Sequence, residues 1–265
     1  MNATSTPTDV DQPLLETTDI SKLYGGVKAL RGACITVGHG EHIAIMGDNG
    51  AGKSTFVKIL SGAQAATDGS IRFDGQERTF ETPIDAREAG IETVYQDLSL
   101  ADDLDVLSNL FLGREEKRFS LGGLSVLNRR KMARRAEELL SEIGVNVPEV
   151  HRIVRGLSGG QRQGIAIARA SGWGSKLIIM DEPTAALGVQ ETAHVHEIIG
   201  RLRKRGVAAI IVSHNMQQVF ELADRVYVFR RGEVVGCRRT AETSPDEIVS
   251  MITGAQAADL QSEPA

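Results

Sequence analysis

Nine consecutive residues have the types and spacing needed to hold a polyphosphate. They match the pattern G-x-x-x-x-G-K-[ST] at every fixed position, and they are Gly47, Asp48, Asn49, Gly50, Ala51, Gly52, Lys53, Ser54 and Thr55. Glycines allow a tight turn whose backbone N–H groups point inward, the Lys53 ammonium reaches the outer phosphates, and the Ser54 hydroxyl ligates Mg²⁺. The apolar run at residues 43–46 and the helical spacing of apolar residues after the motif predict a strand, a loop and a helix. We therefore expect a nucleoside triphosphate and Mg²⁺ to bind here.

A pair of carboxylates, Asp181 and Glu182, follows the apolar run at residues 177–180. In phosphate-loop enzymes a carboxylate at a strand end holds Mg²⁺ through its water shell, and Asp181 suits that role. Glu182 is then placed to polarise a water molecule for attack on the γ-phosphate. The alternative is that both acids merely cap the next turn. That alternative does not explain why they occur in the same chain as a complete phosphate loop.

A second glycine-rich stretch opens a predicted helix with Ser158, Gly159, Gly160 and Gln161. Backbone N–H groups at a helix N-terminus form an anion site. The phosphates of one nucleotide cannot easily use two such sites on the same chain. We therefore expect a homodimer in which each chain completes the nucleotide pocket of the other.

The elements around these residues alternate in a way that predicts an α/β protein. Strands are expected over residues 14–20, 30–37, 70–73 and 91–95, and the short apolar runs at 177–180 and 208–212 are typical of parallel strands buried on both faces. Residues 190–205 predict a helix between those two runs. The predicted fold is a phosphate-loop NTPase core with an N-terminal antiparallel β subdomain and an inserted α-helical subdomain.

The domain limits follow from changes in composition along the chain. Residues 1–13 are polar and predict a disordered lead, residues 14–254 form one ATPase domain, and residues 255–265 form a flexible tail. The helical subdomain is expected at about 97–165, with Asn128 as the N-cap of an amphipathic helix that ends at Gly144. Residues 118–124 are expected to form a loop within it.

Composition restricts the partners. The formal net charge is -5, so the chain lacks the excess of positive charge expected of a protein that binds nucleic acid. The basic cluster at residues 129–135 predicts a solvated helix face. Cys34 and Cys237 lack metal-ligand spacing and are expected to be buried small hydrophobes in a reducing compartment. No apolar run is long enough to span a bilayer, so a membrane role would require a partner.

These motifs together resemble those of the ATPase subunit of ATP-binding cassette (ABC) transporters, over about residues 14–254. The family's motifs occur in order, namely the phosphate loop, a glutamine after a strand, the Leu-Ser-Gly-Gly-Gln signature, the Asp-Glu pair and a histidine after a strand. By this resemblance Gln96 contacts Mg²⁺ and the attacking water, His214 contacts the γ-phosphate, and Tyr24 stacks on adenine. The loop at residues 97–105 is expected to face a membrane permease.

Within the family, the strings at residues 24–30, 47–53, 90–96 and 157–170 are similar to those of ribose, fructose and xylose importers. The resemblance implies a single-unit branch that works as a homodimer with permease subunits and, through them, a periplasmic sugar-binding protein. The expected location is the cytoplasmic face of a bacterial inner membrane. An amino-acid importer and a soluble cassette ATPase remain alternatives, whereas a phosphate-loop kinase leaves the signature unexplained.

Gly188 departs from the family pattern, because the resemblance implies an aspartate at this position. Glycine supplies no side-chain acceptor and is able to adopt a positive φ. We favour the interpretation that the interface closes here with backbone groups alone, so that glycine is needed for close approach, over drift at a tolerant position. Gly188→Asp should then slow ATP hydrolysis in the assembled transporter, and Gly188→Ala should be milder unless φ is positive. Steady-state ATPase rates of both variants check this. A Gly188→Asp variant as active as the wild type would favour drift.

Overall fold

The computed structural model describes residues 12–121 and 124–255. The chain divides into two units, of which the first contains the residues up to Ala89 and from Ala223 onward and the second spans Gly90–Leu222. Most of the predicted lead, residues 1–11, and most of the predicted tail, residues 256–265, lie outside the described residues. The helical insertion predicted at 97–165 falls within the second unit, and its limits stay a prediction.

Strands occur in both units, with their bounds given in chain order. They are β1 Leu15–Tyr24, β2 Val27–Val37, β3 His42–Gly47, β4 Asp68–Phe73, β5 Gln76–Arg78, β6 Ile91–Val94, β7 Lys117–Leu121, β8 Leu124–Leu127, β9 Leu177–Asp181, β10 Ala208–Val212, β11 Arg225–Arg230 and β12 Glu233–Arg239.

The helices connect these strands. They are α1 Lys53–Leu60, α2 Pro83–Ala89, α3 Val106–Phe111, α4 Arg129–Ile143, α5 Gly159–Ser171, α6 Val189–Lys204, α7 Met216–Leu222 and α8 Pro245–Thr253, with short 3₁₀ turns at Val154–Gly156 and Thr240–Glu242.

The first unit contains the predicted antiparallel β subdomain and the strand before the phosphate loop. Its four-stranded sheet has the order β2-β1-β4-β5, with every neighbouring pair antiparallel. Strand β11 runs parallel to β3 and antiparallel to β12. The rings of Phe56 on α1 and Phe229 on β11 lie 5.6 Å apart and are both fully buried, so the helix after the phosphate loop packs on this strand.

The second unit is built on three parallel strands in the order β10-β9-β6. Val212 pairs with Asp181, and Met180 pairs with Val94, so the three strands end side by side. The residues of β9 before Asp181 and all of β10 are fully buried, as expected for strands covered on both faces. This register brings the segments after β6, β9 and β10 to one edge of the sheet.

Helices of the second unit contribute their apolar stripes to one core. On α4 the N-cap Asn128 accepts a hydrogen bond from Lys131 N, and the helix ends at Gly144 with φ 76°, as predicted. Met132, Ala136, Leu140 and Ile143 form its buried stripe. The basic residues on the opposite face are exposed and form ion pairs such as Lys131 with Glu116, which confirms the predicted solvated face.

The predicted loop at residues 118–124 is wrong. Strands β7 and β8 form an antiparallel hairpin in which Leu121 pairs with Leu124, and residues 122–123 lie outside the described part of the chain. Apolar and polar residues alternate on both sides of a Gly-Gly pair, which is the pattern of a β-hairpin. The prediction of a loop gave more weight to the polar composition of the region than to this alternation.

The expected burial of both cysteines is also wrong. Cys34 is exposed and Cys237 is half-buried, and both are free thiols. Side chains alternate between the two faces of a strand, and on β2 the neighbours Ala33 and Ile35 are the buried ones. Cys34 therefore lies on the outer face, where its Sγ accepts a hydrogen bond from Asp19 N at 3.3 Å.

No helix within residues 12–121 and 124–255 has the length and apolar character needed to cross a bilayer.

The buried strand β10 gives a test of this core. Ile210 is fully buried, so Ile210→Ala should lower the free energy of unfolding by about 2–5 kcal/mol through lost apolar contact and a residual cavity. The exposed Ile84 on α2 provides the matched control, and Ile84→Ala should change it by less than about 0.5 kcal/mol. Urea unfolding followed by circular dichroism measures both. Equal shifts in the two variants would contradict the assigned core.

Candidate active site

The phosphate loop lies between β3 and α1 in the first unit, as predicted. Gly47, Gly50 and Gly52 have φ angles of 148°, 77° and 106°, which favour glycine. A Cβ atom at Gly47 would lie 2.2 Å from the Phe229 carbonyl oxygen, and one at Gly52 would lie 2.8 Å from Leu30 Cδ2. Gly47 and Gly52 are therefore required by close protein contacts as well as by the turn, whereas Gly50 is favoured by its φ angle alone.

Polar groups of the loop are available to a phosphate ligand. Lys53 Nζ donates hydrogen bonds to the carbonyl oxygens of Gly47 at 2.6 Å and Asp48 at 2.9 Å, so the ammonium lies over the loop. Ser54 is exposed in the first turn of α1. The N-cap of this helix is Gly52, whose backbone adopts the left-handed conformation. The glycines of the turn, the Lys53 ammonium and the Ser54 hydroxyl thus fit a Mg²⁺-bound polyphosphate.

Tyr24 also belongs to the first unit, at the end of β1. Its side chain is 47% exposed, which leaves a ring face open for stacking on a base. The hydroxyl donates to Gln64 Oε1 at 2.5 Å, and Lys22 Nζ lies 5.7 Å from the ring centroid. The stacking role stays a prediction.

The catalytic candidates Glu182 and His214 meet in the second unit. Glu182 comes directly after β9, and its backbone N–H donates to the Val212 carbonyl at 2.9 Å. His214 follows β10 by two residues, and its Nδ1 lies 2.7 Å from Glu182 Oε1, so the imidazole donates to the carboxylate. The Glu182 carboxylate is 18% exposed, and the His214 ring is 77% exposed. This arrangement fixes the carboxylate while the other ring nitrogen remains accessible.

Gln96 and Asp181, the predicted Mg²⁺ contacts of this unit, line one cavity of about 580 Å³ together with Tyr95, Asp97 and Ser99. Amide and carboxylate oxygens are the hard ligands that Mg²⁺ prefers, and Mg²⁺ in nucleotide sites takes few protein ligands. Within residues 12–121 and 124–255, no group of three or more His, Cys, Asp or Glu residues is arranged to hold a metal ion by itself. The residues present therefore fit a cation that keeps water and phosphate oxygens as its other ligands.

The signature stretch begins α5 as predicted. Ser158 Oγ accepts a hydrogen bond from Gln161 N at 3.3 Å, and Gln161 Oε1 accepts one from Ser158 N at 3.1 Å, which forms a reciprocal capping box. Gln161 also donates from Nε2 to the Asn146 carbonyl at 3.0 Å. The cap holds Gly159 and Gly160 in the first turn of the helix, where Ser158 is exposed, Gly159 is half-buried and Gly160 is buried. Their contact with the nucleotide of a second chain stays a prediction.

The φ angle at Gly188, which the sequence leaves open, is negative. Gly188 is the N-cap of α6 with φ -70° and ψ 168°, an extended conformation that any residue adopts. The left-handed residues of this loop are instead Glu182 at φ 50° and Ala186 at φ 61°. A Cβ atom at Gly188 would meet only Glu191 Oε2 at 3.9 Å, so Gly188→Ala should be well tolerated by the fold.

Glu191 was not identified by the sequence analysis. Its carboxylate accepts hydrogen bonds from Gly160 N at 3.2 Å and from Gly188 N at 3.3 Å. These amide donors and the Ser158 hydroxyl hold the pKa of this carboxyl below its ordinary value. A glutamate three residues after a helix N-cap is a capping signal, which could have indicated the local bond to Gly188.

Comparison with known proteins identifies the family. The model of the ABC transporter family matches residues 30–185. The chain is 43% identical over 240 residues to the xylose/arabinose import ATP-binding protein of Sulfolobus acidocaldarius, covering 91% of this chain and 94% of that protein. It is 44% identical over 248 residues to the fructose import ATP-binding protein of Rhizobium meliloti, covering 92% and 95% respectively.

A solved structure supports the same assignment. The dimeric post-hydrolysis state of an ATP-binding cassette bound to ADP and Pi matches with a TM-score of 0.70 at 25% identity, covering 85% of this chain and 98% of that one. The predicted α/β phosphate-loop fold is thereby confirmed. With its phosphate loop, its strand-end Asp-Glu pair and its capped signature helix, this chain belongs to the ABC transporter family and is one of its ATP-binding cassettes.

Proposed function

We propose that the chain is the ATP-hydrolysing subunit of a membrane importer for a monosaccharide. The observation that carries this proposal is the match over more than nine-tenths of its length to two proteins named as sugar import ATP-binding proteins. Their sugars differ while their identities to this chain are nearly equal, at 43% and 44%. The similarity therefore supports the class of substrate and leaves the individual sugar open.

The residues of the first unit bind the nucleotide in this proposal. Backbone N–H groups of the phosphate loop and the Lys53 ammonium hold the β- and γ-phosphates, and Tyr24 stacks on the adenine. Lys53 leaves its present contacts with loop carbonyls for the phosphate oxygens, a short movement of a flexible side chain. Ser54 contributes a hydroxyl ligand to Mg²⁺.

The residues of the second unit perform the hydrolysis. Gln96 would provide an oxygen ligand for Mg²⁺, and Asp181 would hold the ion through its water shell. The bound ion would offset the phosphate charge. Glu182 takes a proton from the water that attacks the γ-phosphorus, the bond from that phosphorus to the bridging oxygen breaks, and ADP and phosphate result. His214 orients the Glu182 carboxylate through the 2.7 Å hydrogen bond and directs its other nitrogen toward the γ-phosphate.

Partners complete the proposed transporter. Two copies of the chain form a homodimer in which Ser158, Gly159, Gly160 and Gln161 of each copy face the nucleotide of the other, and the dimeric cassette structure supports this arrangement. Permease subunits dock on residues 97–105, and a periplasmic sugar-binding protein delivers the sugar to them. The subunit is peripheral at the cytoplasmic face of a bacterial inner membrane. Nucleic acid is not a partner in this proposal, because the formal net charge of the chain is -5 and the phosphate backbone is also negative.

The separate roles proposed for Glu182 and Lys53 give a prediction. Glu182→Gln should retain ATP binding and lose at least about 100-fold in hydrolysis rate, because the amide cannot accept the proton. Lys53→Ala should weaken binding and hydrolysis together, because a phosphate contact is lost. Nucleotide titration and steady-state ATPase assays measure both effects.

A control for these variants is Glu138→Gln, which alters an exposed carboxylate paired with Arg134 on α4. Its binding and hydrolysis should match the wild type. Near-normal turnover in Glu182→Gln would remove Glu182 from the catalytic role.

Uptake measurements test the transport function. Deletion of the gene for this chain should abolish uptake of one labelled pentose or hexose, and the wild-type chain but not Glu182→Gln should restore it. Labelled amino acids are measured in the same cells. Unchanged uptake of every sugar, with loss of an amino acid instead, would contradict the proposal and favour an amino-acid importer.

A further inference from the structure

We propose that Glu191 is a positioning residue that joins the signature turn to the loop after Glu182 and thereby couples the two ATP sites of the dimer. This inference rests on the proposed function, since it requires a dimer that hydrolyses ATP. The signature turn means Ser158, Gly159 and Gly160, and the catalytic loop means residues 183–188.

A single carboxylate bridges the two segments. Glu191 Oε1 accepts the Gly160 N–H at 3.2 Å, and Glu191 Oε2 accepts the Gly188 N–H at 3.3 Å. The bond to Gly188 is a local helix cap, whereas the bond to Gly160 joins residues 31 positions apart. Each oxygen of the carboxylate is thus used on a different element, and neutralisation or removal of the group loosens both contacts.

The side chains of Glu191 and Leu187 pack closely against the signature turn. A Cβ atom at Gly160 would lie 3.0 Å from Glu191 Cβ and 3.2 Å from its Cγ, and one at Gly159 would lie 2.8 Å from Leu187 Cδ2. The two signature glycines therefore face the catalytic loop and the first turn of α6 of their own chain. Their small size serves this internal contact, whatever they meet on a partner.

The charge on Glu191 is stabilised where it lies. Amide hydrogen bonds from Gly160 and Gly188 and the hydroxyl of Ser158 hold its pKa below the ordinary value, so the carboxylate is ionised at neutral pH. A full negative charge strengthens both N–H···O bonds relative to a neutral acceptor. The helix N-termini of α5 and α6 both lie at this carboxylate, and each favours a negative charge.

The bridge has a consequence in a dimer that has two composite sites. The signature turn of a chain belongs to the site with the partner's nucleotide, whereas its catalytic loop continues directly from Glu182, which acts on its own nucleotide. A displacement of the turn when the partner's phosphate arrives is transmitted through Glu191 to the loop beside Glu182. Gly188 has no side chain to make such a link, and the carboxylate comes from Glu191 in the first turn of α6.

The test compares Glu191→Gln and Glu191→Ala with the wild type in the assembled transporter. The alanine variant should lower kcat about tenfold and bring the Hill coefficient for ATP toward one, and the isosteric glutamine should lower kcat about threefold because one acceptor oxygen remains. Binding of Mg-ATP to the isolated chain should stay within about twofold, since the phosphate loop is untouched.

Glu197→Gln is the matched control, because Glu197 lies on the same helix with a 70% exposed side chain and a 3.9 Å contact to His194. It should leave kcat, the Hill coefficient and the thermal midpoint unchanged. The Glu191→Gln variant should also keep its thermal midpoint, which separates positioning from general stability.

Several outcomes would overturn the inference. Wild-type kcat and cooperativity in both Glu191 variants would show that the bridge is not used, and increased activity would show that the carboxylate obstructs the signature turn. Parallel losses of ATP binding, thermal stability and activity would show a purely structural role. If the wild-type transporter hydrolyses no ATP, the proposed function itself fails, whereas an active wild type with unaltered variants contradicts only the coupling.

Discussion

The hydrogen-bond register of β6, β9 and β10 is the constraint on which the chemistry of the second unit depends. Pairing of Val94 with Met180 and of Asp181 with Val212 makes the three parallel strands end together. Residues that immediately follow the strands emerge at the same edge, where open α/β sheets bind their ligands. A shift by one residue in any strand would move its side chains to the opposite face and separate the carboxylates from their partners.

Steric demands within the chain explain part of the glycine content of the motifs. In the first unit the main chain of Phe229 approaches Gly47, and in the second unit Glu191 and Leu187 approach the signature glycines. A glycine-rich motif therefore reports two requirements at once, close approach of protein atoms and access of phosphate to backbone N–H groups. Substitution of such a glycine perturbs the fold of the loop before it affects any ligand.

The turn after β9 contains two residues with a strained backbone. Glu182 and Ala186 have left-handed φ angles of 50° and 61°, a conformation that costs about 1–2 kcal/mol for residues with a Cβ atom. Glu182 N donates to Val212 O, and Ala185 N donates to Glu182 O, so the turn is held by the sheet on one side and by itself on the other. The geometry directs the Glu182 carboxylate toward His214 rather than back along the strand.

The sequence by itself determined the elements whose signals are local. The phosphate loop, the buried strands, the cap at Asn128 and the amphipathic character of α4 were all predictable, because residue types at fixed short spacing specify them. The motifs of the family and their order along the chain were likewise evident from the sequence. The hairpin of β7 and β8 was missed, because a Gly-Gly turn signal lay within a region judged by its polarity alone.

Only the tertiary structure decided the features that depend on residues distant in the chain. The outer-face position of Cys34 follows from which side of β2 covers the core, and the φ of Gly188 follows from its place as the N-cap of α6. The bond from Gly160 to Glu191 forms because α5 and α6 pack together through buried residues such as Ile165 and Ile198. No pattern of residues at short sequence spacing predicts such a contact. The two helices are brought together by the burial of apolar surface over the whole core.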